Sequence, residues 1–576
     1  SISTQKMAKE NAIIKNLNAV ESLGCVSVIC SDKTGTLTQN KMTVKEILTN
    51  GKVYELDKEK IYDCEKLKEA FIYCNDTNYN YDIKDVDKAV MGDPTETALI
   101  KAYFNNVDVL KNTVSNVNRV FDIPFDSSRK MMSVIVKENG REACYVKGAP
   151  ERLINKCRYI HEEGRVKLLT SQKKQQILNV VENMSNRALR CIGGAYKVEN
   201  LTRSESLENE LIFLGIAGII DPPRPEVKDS VIKCRLAGIT PVMITGDHKN
   251  TAFAIGKDLN IAKSQDQVIT GEELDKLDDK ELKKRVNKLR IFARVTPNHK
   301  LRIVKAFKQN GNIVAMTGDG VNDAPAIKEA DIGVAMGISG TDVTKEASSM
   351  ILMDDNFETI VSAVEEGRII YDNIRKFIRY LLSCNLGEVL TMFLATIFYL
   401  PTPMLPIQIL FVNLATDGLP AIALGVDPAD KDIMNQQPRS KKEGIFARGL
   451  TEKILVRGCL IGICTLLTFI VGGLYGMDLS TCRTMALSTL VMSQLLHVFE
   501  CRSERHSIFE IKLFTNLYLV GAVSVSIVML AAILYIPFLQ GIFHTVPLML
   551  NQWMIVLFFS GIIAFINSIY LFIKTK

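Results

Sequence analysis

Three short apolar segments of this 576-residue chain each run directly into a carboxylate. CVSVIC leads into Ser31, Asp32, Lys33, Thr34, Gly35 and Thr36. TPVMIT, ending at Thr245, leads into Gly246 and Asp247. NIVAMT leads into Gly318, Asp319 and Gly320, with Asn322 and Asp323 just beyond. A further segment, FARVTPNHK, ends in Lys300. Open α/β sheets gather their sites outside the carboxyl ends of parallel strands, so these residues could converge on one point. The residue types suit phosphoryl transfer, which needs positioning and charge neutralisation more than covalent help. Asp32 is the candidate nucleophile, attacking a γ-phosphorus to form an acyl phosphate. Lys300 would neutralise the phosphoryl oxygens, and Thr245 would donate to them. Asp32, the Thr34 carbonyl and Asp319 are hard oxygen ligands of the kind Mg²⁺ prefers, with Asn322 and Asp323 completing the surroundings. One such string is an ordinary turn; the whole ordered set is not explained that way.

The elements that must position these groups follow from composition. The length allows about three or four domains. The hydrophobic share is 47% and the charged share 23%. That average hides a split between a charged part, residues 1–370, and a part with long apolar runs, 371–573. The net charge of +6, with no basic arm or basic-aromatic patch, argues against nucleic acid as a partner. The 13 cysteines form no CxxC pair and the six histidines no metal-ligand spacing, so a reduced cytosolic setting fits the first part. The opening SISTQKMAKENAIIKNL reads as a polar, basic helical stretch that begins mid-protein.

A membrane crossing needs about 20 mostly apolar residues. Six segments qualify: 374–400, 404–425, 453–476, 482–500, 514–536 and 552–573. The loop after the second span holds Lys431, Arg439, Lys441, Lys442 and Arg448. The loop after the fourth holds Arg502, Arg505 and Lys512, and the tail holds Lys574 and Lys576. The intervening turns are poor in basic residues, which puts both ends of the block and all of 1–370 on the cytosolic side. Polar groups inside the first two spans are costly in lipid. Asn385 and Glu388 lie three apart, on one helix face. Asn413, Thr416 and Asp417 do the same in FVNLATDGLP, where Gly418 and Pro420 loosen the helix and free carbonyls. Two oxygen-rich clusters in a bilayer suggest a hard-cation site.

With these residues in place, the sequence resembles a P-type ATPase over essentially its whole length. SDKTGTLTQN, KGAPE, DPPRPEV, MITGD and MTGDGVNDAPA all match family motifs. The resemblance implies a haloacid-dehalogenase-like, doubly wound α/β phosphorylation domain with an inserted α+β nucleotide-binding domain, followed by an all-α membrane domain of six helices. The implied boundaries are 1–44 and 221–357 for phosphorylation, 45–220 for nucleotide binding, and 358–576 for stalk and membrane. It implies ATP and Mg²⁺. It assigns Phe125 to stacking on adenine, Glu96 to the polar edge, Lys130 and Lys147 to the pocket, and Arg190 to the phosphates. Thr34, Gly246, Asp247 and Asn322 fall on the same nucleotide and phosphate side. In hydrolases of this fold the position of Thr34 usually holds an acidic proton donor; a threonine there implies a lasting phosphoenzyme. Thr270-Gly271-Glu272 spells the family's dephosphorylation motif, but its position reads as a turn and helix start.

NLGEV and VNLATDGLPA resemble calcium pumps of the sarcoplasmic-reticulum and secretory-pathway type. Asn385, Glu388, Asn413, Thr416 and Asp417 become the residues of the transported Ca²⁺ site, with Asn413, Asp417 and a residue outside this chain at its centre and Glu388 and Asn385 as further ligands or carriers of counter-transported protons, in a multi-pass protein of the plasma membrane. Pumps carrying two calcium ions have a glutamate on the eighth helix where this sequence has Gln494, which implies one ion per cycle. The resemblance also implies that the family's actuator domain and first four membrane helices precede this chain, and that transport needs them. The rival expectations are another cation (Mn²⁺, Na⁺ or H⁺) or a membrane-anchored phosphohydrolase that transports nothing.

Overall fold

The computed structural model describes residues 2–56, 65–115, 117–138, 140–440, 443–503 and 513–575. Lys441, Lys442, Arg505, Lys512 and Lys576, which entered the loop-charge argument, lie outside them.

Among the described residues, eight strands form one sheet in the order Ala12–Ile14, Met350–Leu352, Ile332–Met336, Val314–Gly318, Val28–Asp32, Thr240–Thr245, Ile291–Ala293, Val268–Thr270. All neighbours are parallel except the Ala12–Ile14 edge pair. The central strand is buried from Val28 to Ser31. A strand buried continuously in this way belongs to a parallel sheet covered on both faces. The chain leaves this sheet after Asp32 and returns at Thr240. In between, nine strands from Thr43–Thr49 to Leu211–Ile220 form a second sheet of mainly antiparallel pairs, covered by helices such as Glu65–Tyr73 and Ser171–Asn186.

The opening stretch differs from the single helix expected. It forms a helix, Ile2–Lys9, then the strand Ala12–Ile14, then a second helix, Leu17–Leu23. Asn11 at φ 65° ends the first helix, and the apolar Ala12–Ile14 is used to pair with the sheet edge.

The helix Phe357–Ile397 has 41 residues and so runs about 60 Å, twice a bilayer's hydrocarbon core. Its first half packs on the eight-stranded unit, where a Cβ on Gly367 would lie 2.8 Å from the Gly24 nitrogen. Its second half enters the helical bundle. There Gly387 meets Gly458 and Gly462 so closely that a Cβ on Gly462 would lie 2.9 Å from the Gly387 carbonyl. Small residues allow this backbone approach between membrane helices.

Among the described residues four helices are long and apolar enough to cross a membrane: Phe357–Ile397, Pro406–Leu424, Leu450–Leu474 and Leu517–Tyr535. The span expected at 482–500 is a helix, Leu479–Cys501, but not one of those four. It carries Arg483, His497 and Glu500 and is buried along most of its length at the centre of the bundle. The span expected at 552–573 falls within the helix Leu550–Thr575, of which Leu550–Ile562 is the described apolar part.

Candidate functional site

The strand Val28–Asp32 lies between Thr240–Thr245 and Val314–Gly318, so Asp32 emerges between the other two motif strands. The Asp32 backbone N–H donates to Thr317 Oγ1 at 2.9 Å, and Oδ1 accepts the Lys33 N–H at 2.8 Å. Gly35 takes φ 80° and turns the chain, a conformation open mainly to glycine. That turn is held from the returning segment. Arg224 donates to the Gly35 carbonyl at 2.9 Å and to the Thr38 carbonyl at 3.2 Å, and Thr38 Oγ1 donates to Asp221 at 2.5 Å.

Lys300 sits in the first turn of the helix Pro297–Gln309, whose start is fixed by Thr296 and His299. Its Nζ lies 2.5 Å from Asp32 Oδ2 and 2.8 Å from Asp323 Oδ1. Asp323 gets there because Gly318 has no side chain: a Cβ on Gly318 would lie 2.5 Å from the Asp323 Cβ. Asp32, Asp319 and Asp323 offer oxygens all within 4.8 Å of one another. Burial pushes the Asp319 carboxyl above the usual carboxylate range, and the Asp32 and Asp323 carboxylates add to the effect. Burial would pull the Lys300 ammonium down, but Asp32 and Asp323 outweigh it, and its pKa is raised. Three carboxylates facing one ammonium leave an excess of negative charge, which a hard divalent cation suits.

Thr245 is buried at its strand end, and its Oγ1 accepts the Asp247 N–H at 3.0 Å. Asp247 pairs with Lys33 at 2.9 Å. Gly246, Asn322 and Thr34 are exposed at the mouth of the site. Sequence reading missed Lys33, Thr317, Asp221, Arg224 and the role of Gly318. Thr317 was legible, because it repeats Thr245 in a second TGD string; the ties made by Asp221 and Arg224 carried no signal beyond their motif.

In the second sheet, Lys147 is buried and ion-paired with Glu96. Glu96 lies one residue from Thr95, to which Arg190 donates at 3.4 Å. Lys130 is next to the end of Lys147's strand: a Cβ on Gly148 would lie 2.6 Å from the Lys130 carbonyl. Phe125 is on the same hairpin and is 60% exposed, an unpacked ring. A cavity of about 590 Å³ runs between the two sheet units, lined by Arg190, Asp221, Lys33, Asp247 and His248 among others. Thr270-Gly271-Glu272 is a helix start as read: Thr270 and Glu273 form a capping box.

In the bundle, the helix that carries Asp417 is interrupted by a π-turn, Val412–Thr416, where the Asp417 N–H reaches back to the Val412 carbonyl at 2.9 Å. Single π-turns inside helices are frequent at functional sites. Glu388 is buried and accepts from Asn413 at 2.9 Å and from Gln494 at 3.0 Å. Asp417 is 1% exposed; Oδ1 accepts from Tyr380 at 3.2 Å, while Oδ2 has no hydrogen-bond partner. Gln494 Oε1 is likewise buried without one. Thr416 is buried, its hydroxyl bonded to its own helix at the Val412 carbonyl. Asn385 departs from the expectation: it is exposed and stands outside this hydrogen-bonded group. The separation of three residues turns it far enough from Glu388 to leave the buried face.

Two family models match the sequence, "P-type ATPase, cytoplasmic domain N" over residues 63–226 and "Cation transporting ATPase, C-terminus" over residues 401–573. An endoplasmic reticulum calcium ATPase, srcA, of Aspergillus fumigatus is 35% identical, covering 99% of this chain and 68% of the relative. The chain belongs to the P-type ATPases. The calcium-transporting ATPase of Bacillus subtilis is 47% identical, covering 98% of this chain, and calcium-transporting ATPase 1 of Bacillus cereus is 46% identical, covering 99%. The chain spans 66% of the length of each of these two bacterial relatives.

Proposed function

We propose that this chain is the ATP-hydrolysing and cation-holding part of a P-type pump that moves Ca²⁺ out of the cytosol through an aspartyl phosphate on Asp32. One observation carries the reading: Lys300 bridges Asp32 and Asp323 at the strand ends, with Asp319 beside them. In the step proposed, an Asp32 oxygen forms a bond to the γ-phosphorus as the bond to the bridging oxygen breaks and ADP leaves. Lys300 and Thr245 hold the phosphoryl oxygens in line. Asp32, the Thr34 carbonyl and Asp319 would hold Mg²⁺, which would supply charge neutralisation; Asp323 and Asn322 flank it. With Thr34 where a proton donor would stand, nothing in the turn hastens hydrolysis of the acyl phosphate.

The eight-stranded unit, residues 1–44 and 221–357, is then a haloacid-dehalogenase-like phosphorylation domain, and 45–220 the nucleotide-binding domain. Phe125 stacks on the adenine, Glu96, Lys130 and Lys147 line the pocket, and Arg190, Gly246 and Asp247 face the phosphates. Support comes from the exposed Phe125 ring and from the linked Arg190, Thr95, Glu96 and Lys147 on one wall. Residues 358–576 form a stalk and six membrane helices in the plasma membrane, with the sheet units on the cytosolic side. The basic loops around Lys431, Arg439, Arg448 and Arg502 favour that orientation.

Glu388, Asn413, Thr416 and Asp417 hold the transported Ca²⁺, and the exposed Asn385 stands outside the group. The orphaned oxygens of Asp417 and Gln494 support the site, because buried polar atoms without partners are costly unless something binds them. Buried Glu388 and Asp417 also speak against a phosphohydrolase that transports nothing. Gln494 brings an amide where a carboxylate would favour a further ion, so one Ca²⁺ moves per cycle. The curated relatives at 46–47% identity are named calcium-transporting, which favours Ca²⁺ over Mn²⁺, Na⁺ or H⁺. The test is acid-stable labelling from γ-labelled ATP with Mg²⁺, with and without Ca²⁺. Labelling that survives Asp32→Asn refutes the phosphorylation site; labelling that follows Mn²⁺ and ignores Ca²⁺ refutes the ion.

A further inference from the structure

Tyr380, Cys384 and Glu388 follow one another at four-residue steps along the helix Phe357–Ile397, so they share one face. All three are buried, Cys384 completely. Tyr380 and Glu388 are already engaged with the broken helix and its neighbours, through Asp417 and through Asn413 and Gln494. Between them on that face, Cys384 is packed in the same core cluster as Phe411 and Val412 of the broken helix. Asp417 Oδ2 and Gln494 Oε1 are buried there without hydrogen-bond partners. A buried cysteine is ordinarily a small, inert hydrophobe. Here it stands on the face whose Tyr380 meets Asp417, and Asp417 Oδ2 is buried without a hydrogen-bond partner.

We propose that Cys384 is a sulfur ligand of this intramembrane site, which therefore takes calcium-sized, thiophilic divalent cations of the cadmium class in competition with its oxygen-preferring cargo. The proposal rests on the reading of Asp417 and Glu388 as cation ligands. Hard cations such as Ca²⁺ gain little from sulfur, whereas softer ions prefer it. A mixed set of carboxylate, amide and thiol groups thus accepts both classes but holds the softer one longer. On binding, a cadmium–sulfur bond forms as the S–H bond breaks, and the proton passes to solvent.

The test uses the full chain in detergent, titrated with cadmium chloride and, separately, with radiolabelled calcium. The readouts are bound ion and the thiolate-to-cadmium charge-transfer absorption in the ultraviolet. Cys384→Ser should remove that band and lower the cadmium-to-calcium affinity ratio by about 10–100-fold, the range seen when a metal site loses a supporting group. Cys384→Ala repeats the measurement should the serine variant fail to fold. Cys464→Ser, on another helix, should keep the band. An unchanged band and ratio in both Cys384 variants overturns the sulfur ligand. If Asp417→Asn abolishes calcium binding while the Cys384 variants change nothing, only the sulfur ligand falls. If Asp417→Asn leaves both ions bound as before, the cation-site reading itself falls, and this proposal with it.

Discussion

Replacing Lys300 by methionine removes one charge from between two carboxylates, and its consequences can be sized. Lys300 is 9% exposed and lies 2.5 Å from Asp32 and 2.8 Å from Asp323. At an effective dielectric of ~20, each contact carries about 6 kcal/mol of gross attraction. Withdrawing the ammonium from water offsets much of that, and removing one member of a buried pair nets about 3–5 kcal/mol of destabilisation. Two carboxylates lose the same partner here, so Lys300→Met should fall at the upper end of that range. If Lys300 also faces the charge that develops on the phosphoryl group, its loss slows phosphorylation by about 10²–10³-fold. The two effects separate experimentally. Thermal unfolding without Mg²⁺ reads the first, and quenched labelling from γ-labelled ATP reads the second. Adding Asp323→Asn to Lys300→Met should recover part of the stability, because one orphaned carboxylate is gone, while labelling stays low. A double variant no more stable than Lys300→Met would show that the pair with Asp323 carries no electrostatic energy. Labelling of Lys300→Met at the wild-type rate would refute the catalytic placement.

Phe125→Ala should weaken nucleotide binding by about 1–3 kcal/mol, the usual worth of a ring stacked on a base, without moving the melting temperature, since the ring is 60% exposed; a nucleotide titration beside a melt checks both. Gly318→Ala puts a Cβ 2.5 Å from the Asp323 Cβ, so it should cost about 1–3 kcal/mol of stability and reduce labelling by displacing Asp323 from Lys300; unchanged labelling and melting would refute the close packing. Asp319 has a folded pKa raised first by burial and then by Asp32 and Asp323. Its contribution to stability is therefore full below the unfolded pKa and is lost as pH rises through the folded one. Asp319→Asn should stabilise the Mg²⁺-free protein at neutral pH, with the gain fading in acid. At Mg²⁺ 100-fold above its dissociation constant the wild type should gain about 2.7 kcal/mol, and the variant much less; equal gains would refute Asp319 as a ligand.

What the sequence made legible was the set of groups that stand at strand ends. Apolar runs and the turns after them put Asp32, Thr245 and Asp319 at one edge of one sheet, and the sheet order agrees. What it left hidden depends on side-chain direction and on close approach between distant segments. Nothing in VNDAPA says that Asp323 reaches Lys300 over the bare Gly318 backbone, or that Arg224 reaches back to the Gly35 turn. Periodicity was also too coarse inside the bundle. It grouped Asn385 with Glu388, although a four-residue step is the one that stays on the buried face, and that step selects Tyr380 and Cys384 instead. The sequence counted 482–500 as a span like the others but did not reveal that Leu479–Cys501 is surrounded by other helices, where it can carry Gln494, His497 and Glu500 as long as each faces protein rather than lipid. Those polar residues are costly unless they are used, and Gln494 is joined to Glu388. The helix Leu479–Cys501 thus supplies, through Gln494, a wall of the proposed cation site.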